Sequence, residues 1–302
     1  MGRRESKDSG RVSPNLPPND IPALQKAMRN AGRVTPAIVT DGFCPGCGTA
    51  APLTDYAQCA VLGGGFLVVD DTQSLGVFGA LTAGFAPYGH GGGGSLQRLA
   101  LRHPVIVLVS SLAKAFGVPV AMLAGSTRVV EHFRSESQTR VHCSPPSAAA
   151  LAAALNAVEL NRRFGDALRL SLAEGVAHFR RGLKRLSLLG SNSLFPVQPI
   201  ALPPGANTVA VYHALLNLGV RPVLHEGCGD HRPCISFVLT VRHRLTDINK
   251  ALDSLVEALP SGALPTEGVR SNESLQRKNR LYTPCELLRE FETKLRLPER
   301  WL

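Results

Sequence analysis

Ser110-Ser-Leu-Ala-Lys-Ala-Phe-Gly117 is a turn of polar and small residues that presents Lys114, and its flanks decide the fold. Before it runs Val105-Ile-Val-Leu-Val109, whose length and β-branching predict a buried strand. After it, Val120-Ala-Met-Leu-Ala124 predicts a second strand. A lysine between two core strands is costly to bury as an ammonium, so it is paired, exposed or used as a neutral amine. Taken alone, it reads as a surface lysine in a strand-to-strand loop.

Upstream, Phe66-Leu-Val-Val-Asp-Asp-Thr-Gln-Ser-Leu-Gly-Val-Phe-Gly79 is an apolar strand that ends in two aspartates and a glycine-punctuated loop. In an open α/β sheet, ligands sit at the carboxyl ends of the strands, where Asp70 and Lys114 would both project. A lysine able to form a Schiff base and a carboxylate able to pair with a pyridinium nitrogen are the two side chains that pyridoxal phosphate requires. Singly, Asp70 also reads as a loop cap, Gln73 as a surface amide and Ser111 as a turn former. It is their joint spacing that favours a site.

Val69-Asp-Asp-x-x-Ser-x-Gly-Val-x-Gly79, then Gly89-His-Gly-Gly-Gly-Gly94, then Ser111-Leu-Ala-Lys-Ala-Phe-Gly117 resembles the α-oxoamine synthases. These are fold-type I pyridoxal-phosphate enzymes that include 8-amino-7-oxononanoate synthase, 2-amino-3-ketobutyrate ligase and serine palmitoyltransferase. The resemblance implies an α/β fold, with a truncated, mainly parallel large-domain sheet and a small α+β C-terminal domain. It implies Lys114 as the cofactor's lysine, Asp70 as the partner of the pyridine nitrogen and Ser111 as a hydroxyl on the cofactor phosphate. Gln73 falls where the family commonly has a histidine on the ring oxygen; it can still hydrogen-bond but cannot titrate near neutrality. The implied substrates are an amino acid and an acyl-coenzyme A, and the implied assembly is a homodimer. Other readings are a different pyridoxal-phosphate transferase, such as an aminotransferase, and a non-catalytic paralogue or partner subunit.

Three departures from the family pattern lean toward that last reading. Asp41-Gly42 resembles the strand end before an E-G-x-x-S-M-x-G loop, but the serine position holds Pro45; Ala51-Pro-Leu53 then matches the start of the next helix. Further on, the arginines of the R-x-R-x-x-x-T-x-x-H ending fall at Cys234 and Ser236, neither of which can clamp a carboxylate bidentately. Arg232 and Arg242 lie nearby. Finally, the resemblance covers about residues 19–260 and implies that the N-terminal part of the large domain is lacking, including the turn and helix that cup the cofactor phosphate.

Composition excludes several function classes. The net charge of +10 could attract phosphate-bearing ligands. The arginines are scattered, however, and aromatics are only 5% of the chain, so the charge reads as a solvated surface and not as a nucleic-acid interface. No apolar stretch approaches bilayer length and no secretory signal is visible, so a cytoplasmic protein with mainly reduced cysteines is expected. Cys44-Pro-Gly-Cys47 and His225-x-x-Cys228-x-x-His231 have metal-like spacing, but nothing in sequence unites them. The first reads as a tight turn with reduced thiols, and no metal is expected. The Gly89–Gly94 run lacks the following Lys-Ser/Thr of a phosphate loop, and its His90 has no evident partner in sequence.

Along the chain, residues 1–18 read as a disordered N-terminus and 19–188 as a partial cofactor-binding domain with two connecting helices. The first of these is the Ala-rich stretch from Ser147 to Arg163, and the second runs to about Leu188. Residues 189–260 read as the small domain. There, strands are predicted at 196–202, 220–224 and 235–240, with helices at 206–218 and after His243. Residues 261–302 read as a tail with one helix bearing Leu287, Leu288 and Phe291.

Overall fold

The computed structural model describes residues 16–32, 34–82, 86–191, 193–227 and 232–260. The expectations for residues 1–15 and 261–302, and for Cys228 and His231, lie outside them. The elements in order are α1 (Ile21–Asn30), β1 (Ala37–Asp41), β2 (Phe43–Cys44), β3 (Thr49–Ala50), α2 (Leu53–Leu62), β4 (Phe66–Asp70), α3 (Gly94–Arg98), β5 (Ile106–Ser111) and β6 (Ala121–Ala124). There follow α4 (Thr127–Glu136), α5 (Gln138–Val141), α6 (Ala148–Arg185), β7 (Leu189–Gly190), β8 (Val197–Ala201), α7 (Thr208–Asn217), β9 (Val223–Glu226), β10 (Pro233–Val238) and α8 (Leu245–Ala258).

Two compact units divide the chain. The first comprises 1–43, 50–75 and 93–157, and the second 44–49, 76–92 and 158–302. The loop 76–92 belongs with the second unit, and the division between the units falls inside α6.

In the first unit a four-stranded sheet has the order β1-β4-β5-β6. β1, β4 and β5 are parallel, and β6 returns antiparallel to β5. This is the mainly parallel α/β sheet that the sequence implies. Alternation along the strands sends Ile38, Leu67, Val69 and Ile106 to one face, where Leu24 of α1 and Leu53, Tyr56 and Ala60 of α2 cover them. Asp20 starts α1 by accepting a hydrogen bond from Ala23 N at 2.8 Å. Ser126 precedes α4 but makes no capping bond with its side chain.

The second unit carries an antiparallel sheet in the order β7-β8-β10-β9. Val176, Phe179 and Leu183 of α6, Leu215 of α7 and Ile248, Leu252 and Leu255 of α8 pack against Ile200, Ile235 and Phe237 of this sheet. Gly182 permits the close approach of α6 and α8, since a Cβ there would overlap the Leu252 side chain.

Two sequence expectations are corrected. The pair of connecting helices is one 38-residue helix, α6. No proline interrupts it, and Gly165 is tolerated because Asn161 and Arg169, four residues to either side, occupy the space that a side chain would take. The strand predicted at 220–224 lies at 223–226, because Val220 N still bonds Leu215 O to close α7 and Pro222 cannot donate to a ladder. Among the described residues no helix is long and apolar enough to cross a membrane.

Candidate functional site

Because β1, β4 and β5 run parallel, their carboxyl ends lie along one rim of the first unit's sheet. Asp70 ends β4, flanked in register by Asp41 at the end of β1 and by Val109 in β5. Ser111 ends β5, and Lys114 follows in the turn to β6. Leu112 N bonds Val120 O and Val118 N bonds Leu112 O, which closes that turn. Gly117 sits in it at φ +65°, a conformation that L side chains rarely adopt. Lys114 is exposed at the tip of this turn.

Short bonds fix the rim. Asp70 Oδ1 accepts from Thr72 N at 2.9 Å, and Thr72 Oγ1 accepts from Ser111 N at 2.9 Å, joining the end of β4 to the end of β5. Ser111 Oγ accepts from Ala113 N at 3.2 Å and keeps its own proton to donate. Gln73 is half-buried in the helical turn that follows, where Ser74 N and Leu75 N both bond Asp71 O.

Behind the rim, Asp71 is fully buried. Its Oδ2 accepts from Ser95 N at 2.8 Å, and Ser95 Oγ donates to Ser74 Oγ at 2.8 Å. Burial pushes the Asp71 carboxyl up, the bonds from Ser95 and Ser74 oppose this, and the Asp70 charge adds to the rise. Gly94, at φ +86°, presses its backbone so close to Asp71 that a Cβ would collide with Oδ2.

The four residues that the sequence singles out thus lie together in one unit: Asp70 and Ser111 on adjacent strand ends, Gln73 in the turn after β4 and Lys114 in the turn after β5. Sequence reasoning passed over Asp41 and Thr72. The available signal for Asp41 was its place at the end of an apolar run, two residues into the Thr-Asp-Gly turn.

The second unit holds the other features. Cys47 N donates to Cys44 Sγ at 3.4 Å, and Gly48 N bonds Cys44 O, so the Pro45 segment is a closed turn. On β10, Cys234 is half-buried and Ser236 is buried, with Ser236 Oγ 2.7 Å from His225 Nε2. His90 does have a partner: its Nδ1 lies 3.0 Å from Asp166 Oδ2 on α6. Asp166 Oδ1 accepts from Gly91 N at 2.9 Å and from the guanidinium of the buried Arg169, which also donates to Gly76 O at 3.1 Å and to Asn161 Oδ1. The glycine run is therefore fastened to α6.

Residues 12–221 match the aminotransferase class I and II family. The 8-amino-7-oxononanoate synthase of Halorhodospira halophila is 32% identical over 230 residues, covering 73% of this chain and 54% of that protein. A serine palmitoyltransferase structure from Sphingomonas wittichii superposes with a TM-score of 0.68 at 17% identity, covering 80% of this chain and 59% of that one. An 8-amino-7-oxononanoate synthase structure from Francisella tularensis gives 0.60 at 19% identity, covering 79% and 66%. The chain is a class I and II aminotransferase-family protein and belongs, within that family, to the α-oxoamine synthases. The cofactor of this family is pyridoxal phosphate. The chain spans just over half the length of the Halorhodospira relative.

Proposed function

We propose that this chain is the cofactor-bearing part of a pyridoxal-phosphate transferase that condenses an amino acid with an acyl-coenzyme A and works as a homodimer. The observation that carries this reading is the placement of a carboxylate and a lysine on the carboxyl rim of neighbouring parallel strands. Asp70 ends β4, Lys114 lies just beyond β5, and the Asp41 carboxyl on β1, at the far side of Asp70, feels the charges of both.

The donor set fits the cofactor: a primary amine, a carboxylate steadied by a backbone N–H and a hydroxyl with a free proton. When bound, pyridoxal phosphate supplies an electron sink that makes the α-carbon of an amino acid acidic. Lys114 would hold the cofactor through its ε-amine and, as a neutral amine, take the α-proton of the substrate. Asp70 would keep the pyridine nitrogen protonated. Ser111 would donate to the phosphate and Gln73 to the ring oxygen.

One observation favours the second reading, a transferase of another kind or a non-catalytic subunit. The positions matching the family's arginines present a half-buried thiol and a buried hydroxyl engaged by His225, so β10 offers no bidentate clamp there for a carboxylate.

Borohydride reduction after addition of pyridoxal phosphate tests the site. The expected result is a phosphopyridoxyl adduct on Lys114 by peptide mass spectrometry, absent from Lys114→Ala. No adduct on Lys114 in the wild-type protein would sink the proposal.

A further inference from the structure

The roles above leave out Asp41, although it shares Asp70's position in the sheet. Asp41 and Asp70 are register partners at the last position of parallel neighbours. Ile38 of β1, and Leu67 and Val69 of β4, are buried against the helices, while Val39 and Asp41, Phe66 and Asp70 alternate to the opposite side. Both side chains therefore leave the same face of the same rim, from backbones about one strand spacing of ~4.8 Å apart.

Carboxyls on neighbouring strand ends repel when both are charged, and their surroundings differ. Asp70 Oδ1 receives the Thr72 N–H, whereas no donor among the described residues reaches the Asp41 carboxyl. We propose that Asp41 is a positioning residue of the cofactor site, a second carboxyl at the same rim that acts electrostatically on Asp70 and Lys114. This inference rests on the reading of Asp70 and Lys114 as the cofactor's carboxylate and lysine.

The charged groups that face Asp41 are Asp70 on β4 and Lys114 beyond β5. Burial raises the Asp41 carboxyl above its ordinary value, the Asp70 charge raises it further, and the Lys114 ammonium draws it back down.

The test is a ¹³C carboxyl titration of the protein without added cofactor, in the wild type, Asp70→Asn and Lys114→Met, with the Asp41 resonance assigned from Asp41→Asn. The Asp41 midpoint is expected to fall in Asp70→Asn and to rise in Lys114→Met, opposite shifts that a purely structural residue would not show. An Asp41 midpoint indifferent to both substitutions would overturn the proposal. Borohydride trapping is run in parallel and reports separately. Shifted midpoints without an adduct on Lys114 would remove the cofactor reading and the inference with it, whereas an adduct with unmoved midpoints would remove the inference alone.

Discussion

Ser111 N donates to Thr72 Oγ1 at 2.9 Å, so the strand end that leads to Lys114 is tied by one side chain to the turn that carries Asp70. Thr72 N is the donor to Asp70 Oδ1 at the same time. A single residue therefore sets the carboxylate and the hydroxyl of the site relative to one another.

Thr72→Val removes the acceptor and leaves the Ser111 N–H unpaired. A net hydrogen bond contributes about 1 kcal/mol, so urea unfolding should show a loss of that order. Cofactor capture by Lys114 should weaken alongside it. Thr72→Ser retains the oxygen and should behave as the wild type in both measurements. A loss in Thr72→Ser with none in Thr72→Val would show that the methyl group, and not the hydroxyl, is what matters.

Asp166 predicts a pH dependence. Burial acts to raise its carboxyl, but the bonds from Arg169, Gly91 N–H and His90 outweigh burial and hold it at about 2, below the usual 3.8. A group whose folded value is depressed adds stability that is fully present above its unfolded value and is lost as pH falls through the folded one. Asp166→Asn should thus lower the melting temperature at pH 6, with the difference shrinking between about pH 4 and pH 2. With roughly half of its side chain exposed, Asp166 should also show a gap that narrows in high salt. Differential scanning calorimetry across that range checks the prediction.

Gly182 and Leu252 predict a compensating pair. Gly182→Ala forces a methyl against the Leu252 side chain where α6 meets α8, and overpacking of this kind costs about 1–3 kcal/mol. Leu252→Ala alone opens a cavity and costs about 2–5 kcal/mol. The double variant should be more stable than the sum of the two losses implies, because the new methyl enters the vacated space. Strict additivity in chemical denaturation would contradict this contact.

Local chemistry made much of this fold legible. Val105 to Val109 and Phe66 to Val69 announce strands through β-branching and turn residues, and the Asp70–Lys114 spacing carries the site. What stayed hidden depends on neighbours distant in sequence. Asp41 gains its meaning only when β1 lies beside β4 in register, and His90 finds Asp166 76 residues along the chain. The continuity of α6 was obscured at Gly165, where propensity argues for a break and the flanking Asn161 and Arg169 side chains fill the gap. The loop 76–92 joins the second unit through bonds to α6 that no local pattern encodes.

Cys234 offers the most informative functional substitution. It stands half-buried on β10, opposite His225, where the family's motif places an arginine. If the chain binds cofactor and is limited only by recognition of its amino acid, Cys234→Arg supplies a guanidinium suited to a carboxylate. A charge-assisted pair of this kind contributes about 1.5–3 kcal/mol, so amino-acid affinity should rise by about tenfold or more. The readout is the change in the cofactor's visible absorption on titration with glycine, alanine and serine. Ser236 is a poorer site for the same change, because it is buried and bonded to His225, and Ser236→Arg should unfold the β9–β10 region instead of restoring binding. A Cys234→Arg protein that holds cofactor but gives no response to any amino acid would turn the argument toward a non-catalytic subunit.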